Sequence, residues 1–197
     1  MPTGYKIIEQ DQLYFLTLQV VEWVDLFTRK RYRDLIVENL RYCCENKNLE
    51  IYAYVLMSNH LHLLAKCNNG GLSNVLRDFK SYTAKQILGQ MMEGESRREW
   101  MLHVFKDAAA KHVRNAEYQL WTHENHAEQI FSNNFIHQKL AYIHQNPVRA
   151  GIVGKAENYL YSSAKNYAGE EGLLRVEIIE PIVESGGWQT GGWNTVR

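Results

Sequence analysis

The sequence predicts an α+β domain: a ferredoxin-like antiparallel sheet with helices packed mainly on one face. Three observations carry this. The chain has 197 residues, a length that suits one compact core. Its apolar residues switch between a two-residue and a helical period along the chain. The elements then read strand, helix, hairpin, helix, strand, for which a split β-α-β arrangement is the simplest plan.

Each element has its own signal. Leu13–Val20, rich in aromatic and β-branched residues, predicts a strand. Thr28 is positioned as the N-cap of a helix to about Glu45, with Tyr32, Leu35, Ile36, Leu40 and Cys43 on its apolar face. Asn46-Lys47-Asn48 breaks it. Glu50–Met57 and His60–Lys66 predict strands close enough to pair as a hairpin around Ser58-Asn59. After the loop Asn68-Asn69-Gly70-Gly71, Ser73 opens a helix through Leu88. Arg97–Ala110 reads as a helix or an insertion, and Tyr118–Trp121 as a short strand. A further helix begins at Asn133 or Asn134 and is expected to end near Asn146, because Pro147 disfavours helical geometry in the residue before it. Ala150–Val153 and the segment from Tyr159 read as a return to the sheet and a covering helix. Residues 1–180 are thus expected to form one domain. Residues 181–197, with Gly186-Gly187-Trp188 followed by Gly191-Gly192-Trp193, form a tail too short to be a repeat architecture.

Composition excludes several classes. At 45% hydrophobic and 22% charged, the chain is an ordinary globular one. No apolar run reaches the length of a membrane span, and no apolar signal segment follows the start. Cys43, Cys44 and Cys67, an odd number without CxxC spacing, argue against a disulfide framework or a zinc finger and for a reducing cytoplasm, so a cytoplasmic protein is expected. The 22 basic and 22 acidic residues cancel, so any affinity for nucleic acid has to come from a local patch.

Two constellations carry chemistry. His60 and His62 lie two apart on a predicted strand, so both imidazoles project from one face, roughly 7 Å apart along the strand, while Leu61 points into the core. Such a pair can converge on one divalent ion, although structural histidines of this spacing are commoner than ligands. Tyr142 and Asn146 lie four apart on the late helix, to one side of its Ile136, Leu140 and Ile143 stripe. By pattern alone they are a packing tyrosine and a turn residue.

The wording around these residues adds a resemblance. Tyr54-Val55-Leu56-Met57-Ser58-Asn59-His60-Leu61-His62-Leu63-Leu64 resembles the HUH (His, hydrophobic, His) segment of the REP-associated tyrosine transposases. Tyr142-Ile143-His144-Gln145-Asn146-Pro147-Val148-Arg149-Ala150-Gly151 resembles their second signature, in the family's order. The resemblance implies an enzyme that cleaves and rejoins single-stranded DNA at palindromic hairpin elements. It implies His60 and His62 as ligands of Mg²⁺ or Mn²⁺, Tyr142 as nucleophile and Asn146 as third ligand. It also implies a monomer or homodimer. One departure is that Trp121 is followed by Thr122, although Asn125-His126 is kept. DNA contacts are expected from Arg149 beside the site, from Arg77, Lys80 and Lys85 on the helix after the glycine loop, and from His126. Two other readings stay open: a catalytically silent hairpin-DNA-binding module, and a hydrolase that uses water.

Overall fold

The structure, a computed structural model, describes residues 6–111 and 117–180. Four strands, β1 (Tyr14–Gln19), β2 (Leu49–Leu56), β3 (His60–Cys67) and β4 (Glu128–Gln129), form one sheet in the order β2-β3-β1-β4, every neighbouring pair antiparallel. That is the ferredoxin-like order expected.

The strand period sorts the sheet into two unlike faces. Leu16 and Leu18 of β1 and Leu61 and Leu63 of β3 are fully buried on one. Each such leucine contributes about 1.5–3 kcal/mol of hydrophobic stabilisation. Helix α1 (Lys30–Asn46) packs on β2, and α2 (Leu72–Met92) packs on α1. The other face carries Phe15, Thr17 and Gln19 from β1, in register with Leu64, His62 and His60. It is crossed by α4 (Asn133–Arg149), which touches β2 and β3 and buries only Ile143 and Pro147. Helices therefore lie mainly, but not only, on one face.

Several boundaries differ from expectation. Helix α1 starts at Lys30, because Thr28 closes a 3₁₀ turn onto the Asp25 carbonyl (3.1 Å) and accepts from Arg97. Helix α2 starts at Leu72. Ser73 lies within its first turn, where its amide donates to Gln10 Oε1 at 2.9 Å, a cap supplied from far away in sequence. Residues Arg98–Ala110 are a helix, α3, that buries Met101 and Phe105.

Tyr118–Trp121 is not a strand. It meets the chain just beyond β1, at the bridge Val20–Trp121 and where Val21 N–H donates to Leu120 O, and Trp121 packs against Phe27 and Phe79 and donates from Nε1 to Thr83. The fourth strand is Glu128–Gln129. Helix α4 runs through Pro147 to Arg149, three residues beyond the expected end. The last turn closes on itself: the Ala150 amide donates to Asn146 O, Gly151 to Val148 O and Ile152 to Pro147 O. Gly151 sits at φ 69°, the left-handed geometry this helix end requires. Ala150–Val153 is thus a helix terminus and not a strand. From Tyr159 the chain does return to the sheet, at the bridge Val55–Ser162, before the single-turn helix α5 (Ala164–Tyr167).

The β2 edge of the sheet is occupied, as is the stretch of β1 that the two-residue β4 leaves uncovered. Along β2, Leu56 N–H donates to Tyr161 O, and Ser163 and Glu177 N–H donate to Tyr54 and Ile51 O. Along β1, Thr17 N–H donates to Asn125 O and Thr122 N–H to Gln19 O. All three cysteines are free thiols. Among the described residues no helix is long and apolar enough to cross a membrane. The tail expected at 181–197 lies outside the described residues.

Candidate active site

The second face of the sheet gathers the sequence-predicted residues. His60 and His62 project together from β3 with ring centroids 4.6 Å apart. Tyr142, reaching down from α4, meets His62 edge-on at 5.2 Å and Phe15 at 5.8 Å. Phe15 also stacks on His62 at 5.3 Å. Strand period places the two histidines, and the helix crossing their face brings the tyrosine to them.

Each imidazole is held by its Nδ1. Thr17 Oγ1, directly across the ladder, lies 2.9 Å from His62 Nδ1. Asn59 Oδ1 lies 2.7 Å from His60 Nδ1. Asn59 Nδ2 donates to the Trp23 carbonyl and to Asp25 Oδ1, both at 3.2 Å, so its oxygen is the atom facing His60. His60 must therefore donate from Nδ1, leaving a lone pair on Nε2. Burial lowers the His60 pKa to about 4. Burial, then the neighbouring His60 and the cations Lys139 and Arg149, lower that of His62 to about 3. Both rings are neutral at pH 7, the form that binds a metal. His62 Nε2 is buried without a hydrogen-bond partner, which is costly unless something else occupies it.

Tyr142 is exposed, at 40%, with Phe15 and His62 against its ring. The Arg149 guanidinium covers its ring at 4.5 Å, and Nη2 donates to the Tyr142 carbonyl at 3.0 Å. Asn146, half-buried, is one helical turn further along α4. Lys139 lies 4.3 Å from the Phe15 ring centroid and pairs with Glu128 at 2.9 Å. Arg149 is thus the cation over the tyrosine, while Lys139 sits over the neighbouring Phe15 with its charge paired.

The remaining sequence-predicted contacts lie apart from this cluster. Lys80 Nζ donates to Asn125 Oδ1 at 2.7 Å, and burial brings its pKa down to about 8. Arg77 pairs with Asp78, which also takes Lys47. Lys85 is exposed. His126, with φ at 40°, lines a cavity of about 360 Å³ together with Gln19, Glu22, Lys111, His123 and Glu124. This cavity begins one strand from the histidines, since Gln19 is the register partner of His60. Sequence reasoning missed Thr17, Asn59, Phe15 and Lys139. The alternation Phe15-x-Thr17 on a strand paired with His-x-His was the available signal for two of them.

A four-stranded antiparallel sheet with two histidines on a central strand, faced by a tyrosine from a crossing helix, has the arrangement of a tyrosine transposase. The family model described as "Transposase IS200 like" matches residues 20–146, a span that includes His60, His62, Tyr142 and Asn146. The chain belongs to that family. Among solved structures, a REP-associated tyrosine transposase bound to a REP hairpin is similar over 97% of this chain and 100% of its own. The TM-score is 0.55 and the identity 17%, a likeness of fold. Comparison with curated proteins gives no match.

Proposed function

We propose that the protein is a metal-dependent nuclease and strand transferase that cleaves and rejoins single-stranded DNA at palindromic hairpin elements, through a covalent bond to Tyr142. The observation that carries this reading is the buried, unpartnered His62 Nε2 in a neutral ring, with His60 at 4.6 Å and Tyr142 at 5.2 Å. Family membership supports the reaction class. The REP hairpin carried by the structural relative supports the substrate form.

The residues fit a divalent cation. Both rings have Nδ1 engaged by a neighbour, and with the proton on Nδ1 each would present Nε2, the arrangement that orients metal-ligating histidines. No third His, Cys, Asp or Glu completes a group of three among the described residues. Asn146 is then the proposed third ligand, a neutral hard oxygen that suits Mg²⁺ or Mn²⁺ beside two imidazoles. A cation bound there would neutralise charge developing on the scissile phosphate. Tyr142 Oη attacks phosphorus, losing its proton, and the P–O3′ bond breaks as the leaving 3′-oxygen gains one. The products are a 5′-phosphotyrosine and a free 3′-hydroxyl, and a second 3′-hydroxyl reverses the step on a new partner. Arg149, over the tyrosine ring, would meet the phosphate. Arg77, Lys80, Lys85 and His126 would guide the strand further off.

The test is incubation with a labelled single-stranded hairpin and Mn²⁺, followed by a denaturing gel. A covalent adduct is expected from the wild type and none from Tyr142→Phe. Cleavage that survives Tyr142→Phe would instead indicate attack by water. Binding without an adduct in the wild type would make the protein a silent hairpin-binding module.

A further inference from the structure

We propose that Trp23 is a stacking platform for one unpaired nucleobase of the DNA strand, beside the phosphate addressed by His60, His62 and Tyr142; this rests on the reading under Proposed function. Trp23 follows β1 in the 3₁₀ turn Val21–Trp23 and is 58% exposed. Its indole stands edge-on to the His60 ring at 6.0 Å, with an interplanar angle of 80°. A nucleotide whose phosphate reaches His60 therefore brings its own or the next base to the indole.

The backbone here is strained. Glu22 and Trp23 are consecutive non-glycine residues in the left-handed region, at φ 50° and 55°. Each is costly for a residue with a side chain. Dedicated contacts hold the turn. Trp23 N–H donates to Val20 O at 3.2 Å, Asn59 Nδ2 donates to Trp23 O at 3.2 Å, and Lys111 pairs with Glu22 at 2.8 Å. The turn nevertheless leaves the largest apolar side chain of the segment in solvent instead of burying it. Asn59 ties this turn to the site directly, since its other end holds His60. The chain neighbour of Trp23, Glu22, lines the 360 Å³ cavity.

The chemistry selects an unpaired base. An indole offers a planar face to any base, so stacking is tolerant of sequence. Inside a duplex both faces of each base are already stacked, so a paired base has none to offer. Trp23 would thus favour the single-stranded stretch flanking a hairpin over the stem.

Equilibrium binding of two labelled hairpins in metal-free buffer, one with an unpaired tail and one blunt, tests this. Trp23→Ala should weaken binding of the tailed hairpin roughly tenfold or more and leave the blunt one unchanged, whereas Trp23→Phe should retain most of the affinity. Trp23→Gly should raise the melting temperature by releasing the left-handed backbone, yet bind as poorly as Trp23→Ala. Equal affinity of Trp23→Ala and wild type for the tailed hairpin, or equal losses on both hairpins, would overturn the proposal. The covalent-adduct assay is read separately. An adduct from the wild type alongside unchanged binding by Trp23→Ala removes the stacking role alone. A tail-specific loss without any wild-type adduct removes the nuclease reading alone.

Discussion

At His60 and His62, the atom that faces outward is decided by a neighbour of each ring and not by the histidines themselves. Asn59 Oδ1 and Thr17 Oγ1 occupy the two Nδ1 atoms, so removing either partner frees a ring to turn. Asn59→Ala and Thr17→Val should each raise the Mn²⁺ concentration needed for half-maximal adduct by about 10–100-fold, with the maximal rate largely restored at saturating metal. Titration of adduct yield against Mn²⁺ checks both. That His60 and His62 share a face was legible from the two-residue period of the strand. That Tyr142 belongs with them was legible only through the second signature, because nothing in the spacing between positions 62 and 142 fixes a distance of 5.2 Å. Thr17 and Asn59 went unread because a threonine on a strand and an asparagine at a hairpin tip are each ordinary.

Among the elements, α4 matters most, since it carries Tyr142, Asn146 and Arg149 on a helix that buries only two residues. Its end depends on Gly151 at φ 69°, where an added Cβ would meet nothing within 4 Å. Gly151→Ala should therefore cost about 1 kcal/mol from backbone geometry alone, without a clash, seen as a lower melting temperature with adduct formation retained. The proline misled the sequence reading here: Pro147 is buried near the helix terminus, where the closing turn satisfies the carbonyls around it. The fourth strand was misplaced for the opposite reason. Leu120 and Trp121 look like strand because they are apolar, but they are buried by packing under α2. Glu128-Gln129 pairs with β1 while carrying no apolar signal at all.

At the scale of the whole molecule, two electrostatic features have measurable consequences. Glu95 is buried, and burial alone would push its pKa up. Hydrogen bonds from Arg29 and Arg97 outweigh that and hold it at about 2. Arg31 and the Tyr32 hydroxyl also reach it, so one carboxylate joins the start of α1 to the turn between α2 and α3. Because the folded pKa lies below the ordinary 4.5, this stabilisation is full above about pH 4.5 and is lost as pH falls toward 2. Glu95→Gln should cost about 3 kcal/mol near neutrality and flatten the acid limb of the stability curve, measured by denaturant unfolding across pH. The second feature is the zero net charge. With four candidate cations, Arg77, Lys80, Lys85 and Arg149, log affinity against log salt should fall with a slope no steeper than about −3 for single-stranded DNA.

The covered stretches of sheet edge also govern how copies of the protein meet. A bare edge is a template of unpaired amides and carbonyls on which another chain can grow, and here the chain's own irregular segments take the β2 edge and the part of β1 beyond the two-residue β4. Strand-to-strand templating between molecules is thereby closed off at Tyr54, Leu56, Thr17 and Gln19. Cross-β growth along β2 or along this part of β1 would first have to peel away one of these segments.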